Sequence, residues 1–271
     1  MTKKSSPKKL KSSIKSDPDQ WTKHLIEPAT LEAFFQECTE TLGKDQSLET
    51  LQNMAAGVIG DLENIWADIE QDQPQYACRK GCSWCCHQNV TVTVPELLHI
   101  LAYIRDGLDE TARKNLKARV QDRAREIAGK TTNERFDGHI ACGFLDGDIC
   151  SIHKARPLQC RGGFSEDESY CKSLLENREA TQQSVKNGDA TGKYLLAPKI
   201  IYNSAQVAIS SALNDAGSDG AAYELTMAMA ILLKHSDDGT LDNIGSEELA
   251  SAFLQKKNDE YVTPSPGGAD S

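Results

Sequence analysis

The sequence lacks any apolar run long enough to cross a bilayer. Its longest run, residues 225–233, is interrupted by Thr226, whereas a transmembrane helix needs about 20 apolar residues. No apolar stretch follows the first lysines, so we also expect no secretory leader. Basic residues are outnumbered, because 30 Lys and Arg stand against 40 Asp and Glu, a net charge of -10. We therefore expect a cytoplasmic protein without membrane contact and without general affinity for nucleic acid.

Regular alternation of strands and helices is also missing, which argues against a Rossmann sheet or a TIM barrel, and we find no internal repeat. With 271 residues, of which 39% are hydrophobic and 26% charged, the chain can still build a sizeable core. Apolar residues recur mostly at spacings of three and four. The prediction is a mainly α fold, a helical scaffold with a loop- and hairpin-rich cysteine region in the middle.

Two helices are predicted before the cysteine region. One apolar face recurs through residues 31–42, with Thr30 as its N-cap and Gly43 as its stop. Cys38 lies on that face, so we interpret it as a small buried hydrophobic residue rather than a ligand. The second face is a narrow seam over three heptads, formed by Leu48, Leu51, Ala55, Val58, Leu62, Ile65 and Ile69. The short connection favours an antiparallel hairpin of these two helices over a dimer interface.

The later segments are also mostly helical. Residues 90–94 have β propensity, Pro95 opens a helix that runs to about Asp106, and Asp109 caps another that ends near Gly129. Further helices are predicted around residues 166–187, 198–215, 220–235 and 246–257. We divide the chain into a disordered basic tail (1–20), a helical hairpin (21–74), a cysteine-cluster metal-binding domain (75–175), C-terminal helices (176–257) and a disordered tail (258–271).

Nine cysteines in a chain of this kind are unusual, and eight of them are clustered. Because cytosolic thiols are kept reduced, clustered cysteines indicate metal ligands or catalytic groups first. The first group has the pattern C-x3-C-x2-C-C-H over residues 78–87, with Gly81 supplying the backbone freedom for a tight turn. Neighbouring side chains normally diverge, so Cys85 and Cys86 do not easily serve one tetrahedral ion. They suggest two metal centres close together, or one ligand beside a free thiol.

The second group is built around a predicted hairpin. Asp146-Gly147 is a two-residue turn signal. A hairpin folded at that turn pairs Phe144 with Ile149 and places Cys142 diagonal to Cys150, within reach of a shared ion. The apolar residues Phe144, Leu145 and Ile149 are expected to pack the hairpin down, and Pro157 to bend the chain so that Cys160 returns.

Charged and histidine side chains are interleaved with the cysteines. Five cations can offset the negative charge of thiolates: Arg79, Lys80, Lys154, Arg156 and Arg161. Three histidines lie within three residues of a cysteine and are weaker candidates for ligands: His87, His139 and His153. A solvated polar surface is the alternative interpretation of both sets.

These motifs resemble the bacterial cysteine-cluster proteins of the YkgJ family, which is described as a zinc- or iron-chelating domain. The similarity covers about residues 75–175. It lies on Cys78, Cys82, Cys85, Cys86, Cys142, Phe144, Leu145, Cys150, Ile152, Arg156, Pro157, Cys160 and Arg161. Family members commonly carry Tyr where this chain has His153. The resemblance implies metal chelation but brings neither a reaction nor the identity of the metal.

We therefore predict a protein that binds zinc or iron, including an iron–sulfur cluster, through two arms of cysteines. The predicted ligands are Cys78, Cys82, Cys85, Cys86, Cys142, Cys150, Cys160 and Cys171. In one form of this hypothesis the metal has only a structural role and holds the loops against the helices. In the other form an iron centre is redox-active or catalytic.

Three alternatives were weighed against chelation. The spacing Cys78-x3-Cys82-x2-Cys85 resembles the motif of radical SAM enzymes, but Cys86 and the missing βα repeats weigh against that class. An oxidised disulfide framework of an exported domain is disfavoured by the expected absence of a leader. Catalysis by one cysteine with a histidine stays open, since nothing singles out a pair.

Overall fold

The computed structural model describes residues 28–189, 194–237, 255–257 and 260–262. Within them the fold is mainly α, as predicted. The helices are α1 (Pro28–Leu42), α2 (Leu48–Ile69), α3 (Val94–Gly107), α4 (Glu110–Ile127), α5 (Thr132–Asp137), α6 (Leu158–Arg161), α7 (Glu168–Glu176), α8 (Arg178–Lys186), α9 (Leu196–Asp215) and α10 (Leu225–Asp237). The strands are β1 (Thr91–Val92), β2 (Leu145–Asp146), β3 (Ile149–Cys150), β4 (Tyr223–Glu224), β5 (Gln255–Lys257) and β6 (Glu260–Val262). They pair antiparallel as β1–β4, β2–β3 and β5–β6.

One apolar core is built by α1, α2 and α9. The predicted seam of α2 is buried here, and Cys38 of α1 is fully buried, so its assignment to the core is confirmed. The main partner of α1 is α9, while α2 packs chiefly against α3. The predicted α1–α2 hairpin is therefore only a minor contact. Small residues on α9, such as Ala205 and Ala208, are completely buried and let the larger side chains of α1 approach.

A second core joins α3, α4 and α10 to the cysteine region. Val120 of α4, Met229 of α10 and Phe144 from the loop before β2 have no exposed surface. Cys142, Cys150 and Cys160 pack against this core as partly buried residues. Burial of a side chain such as Phe144 is worth about 1.5–3 kcal/mol, so this core holds the cysteine-bearing loops in place.

Several helix ends follow from local hydrogen bonds. The Asp109 carboxylate accepts from the Ala112 backbone N–H at 2.8 Å, which confirms it as the N-cap of α4. Pro95 lies in the first turn of α3, as predicted. The predicted N-cap Thr30 is wrong, because α1 already includes Pro28 and continues through Thr30.

The C-terminal segments differ from the prediction. Most of the predicted helix at 246–257 lies outside the described residues, and its last three residues form strand β5 instead. Strand β6 pairs with it and falls inside the segment expected to be a loose tail. The predicted tail at 1–20 also lies outside the described residues. Among the described residues, no helix is both long enough and apolar enough to cross a bilayer.

Candidate metal centre

The first cysteine arm is a compact loop made of two successive turns. Gly81 adopts φ +89°, a conformation that side chains rarely tolerate, and the Cys82 N–H donates to the Arg79 carbonyl at 3.0 Å. A single 3-10 turn over Trp84–His87 follows, in which the Cys86 N–H donates to the Ser83 carbonyl at 2.9 Å. These turns curl the arm so that its thiols lie near one another.

Helix α7 anchors this loop. The Trp84 indole N–H donates to the Glu168 carboxylate at 3.1 Å, and Arg79 forms an ion pair with the same carboxylate. Cys171 stands one turn further along α7, on the face that Glu168 shares. Ser165 contacts the sulfurs of both Cys78 and Cys171. Its N–H donates to the Cys78 Sγ at 3.4 Å, and its side chain hydrogen-bonds to Cys171.

The hairpin of the second arm forms with its turn one residue later than predicted, so every cross-strand partner moves by two positions. Leu145 pairs with Cys150 and Asp146 with Ile149, so the turn residues are Gly147 and Asp148. Gly147 has φ +57° whereas Asp148 does not have positive φ, which is the pattern of a type II′ turn. A glycine at the first central position suits that turn.

The apolar residues of the hairpin are buried to different extents. A shift of two positions leaves the alternation of faces unchanged, so the register alone does not decide which side chains are buried. Phe144 is buried as predicted, but Ile149 is 44% exposed, so its predicted role in packing the hairpin is wrong. Cys142 is not diagonal to Cys150 as predicted, because Cys150 pairs with Leu145, but the Cys150 thiol still raises the pKa of Cys142.

The two arms are joined directly through the backbone. The Cys142 N–H donates to the Cys86 carbonyl at 2.7 Å. The Ser83 hydroxyl, on the first arm, donates to the Asp148 carboxylate at the hairpin turn at 2.8 Å. Cys160 is placed by the short helix α6, which begins directly after Pro157. The structure thus brings the two cysteine groups of the sequence into one region.

Electrostatic interactions connect all eight clustered thiols. Burial is the main cause that raises the pKa of most of them, and neighbouring thiols raise it further. Around the first loop, Cys85 raises the pKa of Cys78, Cys82 and Cys171, and Cys78 raises that of Cys82 and Cys171. Around the hairpin, Cys150 raises the pKa of Cys142 and Cys160, Cys142 raises that of Cys160, and Cys85 raises that of Cys150 and Cys160. The pKa of Cys38 is raised to about 12 by burial and by Glu37, far from this network.

The adjacent pair Cys85 and Cys86 forms the centre of the network. The Cys86 thiol donates a hydrogen bond to Cys85, which lowers the pKa of Cys85 to about 7 and raises that of Cys86. The Arg156 and Lys199 cations lower the pKa of Cys85 further. Cys85 is also the exposed member of the eight. The adjacent pair therefore loses one proton more readily than an isolated thiol does.

Of the five predicted cations, Arg156 is the one that faces the thiols most closely. It opposes the pKa rise of Cys78, Cys150 and Cys160. Arg79 instead pairs with Glu168, and Arg161 donates to the Lys154 and Arg156 carbonyls and to Glu63.

Lys199 on α9 was not predicted. It is partly buried, and its pKa is lowered by burial and raised by Cys160 and Cys85. Its only sequence signal was a cation beginning an otherwise apolar helix, with nothing to place that helix beside the cysteines.

Arg156 also provides a test of whether a metal–thiolate group fits this region. Its Nε is buried without a hydrogen-bond partner. A buried donor of this kind costs about 1–3 kcal/mol when unsatisfied, and thiolate sulfur is an acceptor that would satisfy it. The donor set agrees, because eight closely grouped thiols match the preference of zinc and of iron–sulfur clusters for sulfur. Among the described residues, however, no three His, Cys, Asp or Glu side chains already stand in an arrangement that could hold an ion.

The histidine candidates lie at the edge of the thiol network. His87 is half-buried, its Nδ1 is 3.4 Å from the Trp84 carbonyl, and His139 and Arg123 contribute to lowering its pKa. His153 is exposed, with its Nε2 3.3 Å from the Arg156 guanidinium. Burial is the main cause that lowers the pKa of both rings.

Comparison with known proteins gives one result. Residues 77–182 match the family model CxxCxxCC, described as "Putative zinc- or iron-chelating domain". The resemblance predicted from the motifs to a chelating cysteine-cluster family is thus confirmed over this segment. Between Cys78 and Cys82 the chain has three residues, one more than the first gap of the pattern CxxCxxCC, and Gly81 lies in this longer gap. No curated protein and no solved structure shows a significant match.

Proposed function

We propose that the protein is a metal-chelating protein whose eight clustered cysteines bind zinc or iron, including iron in a sulfur cluster. One observation carries the proposal: thiols that are 93 residues apart in sequence, from Cys78 to Cys171, share one neighbourhood with two cations. The matched family model is described by the same chemistry. The chelating residues are the eight predicted from the sequence, and Cys38 has no part in the site.

The residues around the thiols favour the deprotonated, metal-binding state. Ligation requires each thiol to lose its proton, so cations beside the site lower the cost of holding several thiolates together. Arg156 and Lys199 supply that charge, and the orphaned Arg156 Nε offers a hydrogen bond to a ligating sulfur. A bound zinc ion would brace the loops, whereas iron would add redox chemistry.

Nothing specific in the structure favours the radical SAM alternative. Its resemblance rests on the spacing of Cys78, Cys82 and Cys85. In the described ranges the strands are two or three residues long and form only two-stranded antiparallel ribbons. The motif follows helix α2 and a 3-10 turn rather than a strand.

Elemental analysis and a visible spectrum of protein purified without oxygen test the proposal. We expect one to two metal equivalents and protection of the eight thiols against alkylation. A colourless protein containing zinc identifies a zinc site, and a brown one absorbing near roughly 400 nm identifies an iron–sulfur cluster. The matched control is Cys38→Ser, which should leave metal content unchanged. Metal-free protein with eight reactive thiols, after reconstitution with either metal, would overturn chelation.

A further inference from the structure

The structure groups the cysteines differently from their order in the sequence. In sequence, four cysteines lie on residues 78–86 and four on residues 142–171. In space, Cys171 belongs with the first loop and Cys86 belongs with the hairpin. Separate contacts place Cys171 beside the first loop and Cys86 beside the hairpin.

Cys171 lies beside the first loop because α7 is bound to that loop. Glu168 of α7 holds both Trp84 and Arg79. The Lys172 ammonium lies 5.7 Å from the centre of the Trp84 ring. Ser165 hydrogen-bonds to both Cys78 and Cys171. The thiols that raise the pKa of Cys171 are likewise Cys85 and Cys78.

Cys86 lies beside the hairpin because its own carbonyl accepts from Cys142 at 2.7 Å. Besides Cys85, the thiols that raise the pKa of Cys86 are Cys142 and Cys160. Cys160 in turn interacts with Cys142 and Cys150. Thus Cys86 completes a group of four with the three cysteines of the hairpin and α6.

The adjacent residues Cys85 and Cys86 divide these groups. Cys85 lies at the boundary of the groups, because it also raises the pKa of Cys86, Cys150 and Cys160. The Cys85 and Cys86 thiols interact with each other, but Cys85 also raises the pKa of all three other thiols around the first loop, whereas Cys142 raises that of Cys86. Two adjacent ligands can therefore serve two neighbouring centres.

We propose that the protein has two adjacent four-thiolate metal centres. The first is held by Cys78, Cys82, Cys85 and Cys171, and the second by Cys86, Cys142, Cys150 and Cys160. This proposal rests on the proposed chelating function and assigns its ligands. Each centre takes up one divalent ion, or one cluster, as its four thiols release their protons to solvent.

The positive charges around the thiols suit two adjacent centres better than two centres far apart. Two divalent ions with eight thiolates leave a net charge of about -4. Arg156 interacts with Cys78 and Cys85 of the first centre and with Cys150 and Cys160 of the second. Lys199 interacts with Cys85 and Cys160, again one from each. Both cations therefore lie where they offset the charge of both centres.

Two double variants separate this assignment from the sequence order. Apo-protein is loaded with zinc and challenged with a competing chelator, and the ions held at wild-type affinity are counted. Cys78→Ser/Cys171→Ser removes two ligands from the first centre, so it should retain one zinc. Cys78→Ser/Cys86→Ser removes one ligand from each centre, so it should retain none. Grouping by sequence order predicts the reverse, because Cys78 and Cys86 would then share a site.

A measurement on the wild-type chain covers the case in which variants fail to fold. Protein loaded with one zinc equivalent is alkylated, and the protected cysteines are located by mass spectrometry of intact, singly loaded molecules. We expect protection of one proposed quartet or the other. Mixed protection across the quartets, or one centre with four thiols always free, would overturn the assignment while chelation stands. A wild-type protein that binds no metal would instead overturn the proposed function itself.

Discussion

The buried ion pair behind the second centre gives a test of stability that needs no metal. Arg135 of α5 and Glu224 of β4 are about 1% and 0% exposed, and their Nη1 and Oε1 atoms are 2.5 Å apart. The same Nη1 donates to the Asn89 side chain at 2.8 Å, three residues after Cys86. The other Glu224 oxygen accepts from the Met227 N–H at 2.7 Å. The pair therefore ties α5, the first loop and the start of α10 together.

Arg135→Met removes the cation but keeps most of its volume. Glu224 is then a buried carboxylate without a counter-ion, which costs about 3–5 kcal/mol of the free energy of unfolding. With a urea dependence of about 3 kcal/mol/M, the unfolding midpoint should fall by about 1–1.7 M. The assay is urea unfolding followed by circular dichroism, with a chelator present so that metal does not contribute.

The double variant Arg135→Met/Glu224→Gln decides whether this reasoning holds. It removes both buried charges, and the Gln carbonyl can still accept from Met227, so the double variant should be more stable than Arg135→Met alone. The Arg135 Nε is already buried without a partner, which makes the cation costly to keep. A double variant whose loss equals the sum of the two single losses would refute the charge argument.

Three further predictions concern the site. Arg156→Gln should weaken zinc binding about tenfold or more in a chelator competition, with Arg156→Lys intermediate, because the positive charge offsets the thiolates; unchanged affinity would contradict this. Zinc affinity should rise with pH from about 6.5 to 8.5, because a raised pKa, as at Cys82, means that bound protons must be displaced; the same competition at three pH values checks it, and a flat profile would count against thiol ligands. Phe144→Ala should cost about 3–5 kcal/mol in urea unfolding and Ile149→Ser less than about 0.5 kcal/mol, because only Phe144 is buried; equal losses would contradict the difference in burial between these two side chains.

The helices could be predicted from sequence wherever one face alone meets the core. The seam of α2 from Leu48 to Ile69 could be predicted because its apolar spacing is a local signal, whereas its N-cap at Ser47 was not predicted. The partner of α1 was not recognised. Its apolar face indicates burial but carries no information about whether α2 or the distant α9 covers it.

The hairpin shows a different limit. The turn signal around Gly147 was correct, yet Asp146-Gly147 and Gly147-Asp148 are both acceptable two-residue turns by composition. The choice depends on packing: the observed register buries Phe144 and leaves Ile149 in solvent. Arg119 of α4 adds to it, donating to the Gly143 carbonyl at 3.2 Å and to the Ser151 hydroxyl at 2.7 Å. These contacts join residues 24 and 32 positions apart, beyond the range of a local pattern.

The ligand set and its grouping depend on different kinds of information. Composition and spacing predict the eight cysteines as ligands, since soft ligands at short intervals are rare in a chain of reduced thiols. Their proposed grouping depends on which elements the helical scaffold brings together, and two polar contacts support it. Glu168 holds α7 and Cys171 to the first loop, while the Cys142 N–H binds the carbonyl of Cys86. Because one contact is made by a side chain and the other by the backbone, Glu168→Ala should loosen only the first quartet, so the two centres can be perturbed separately.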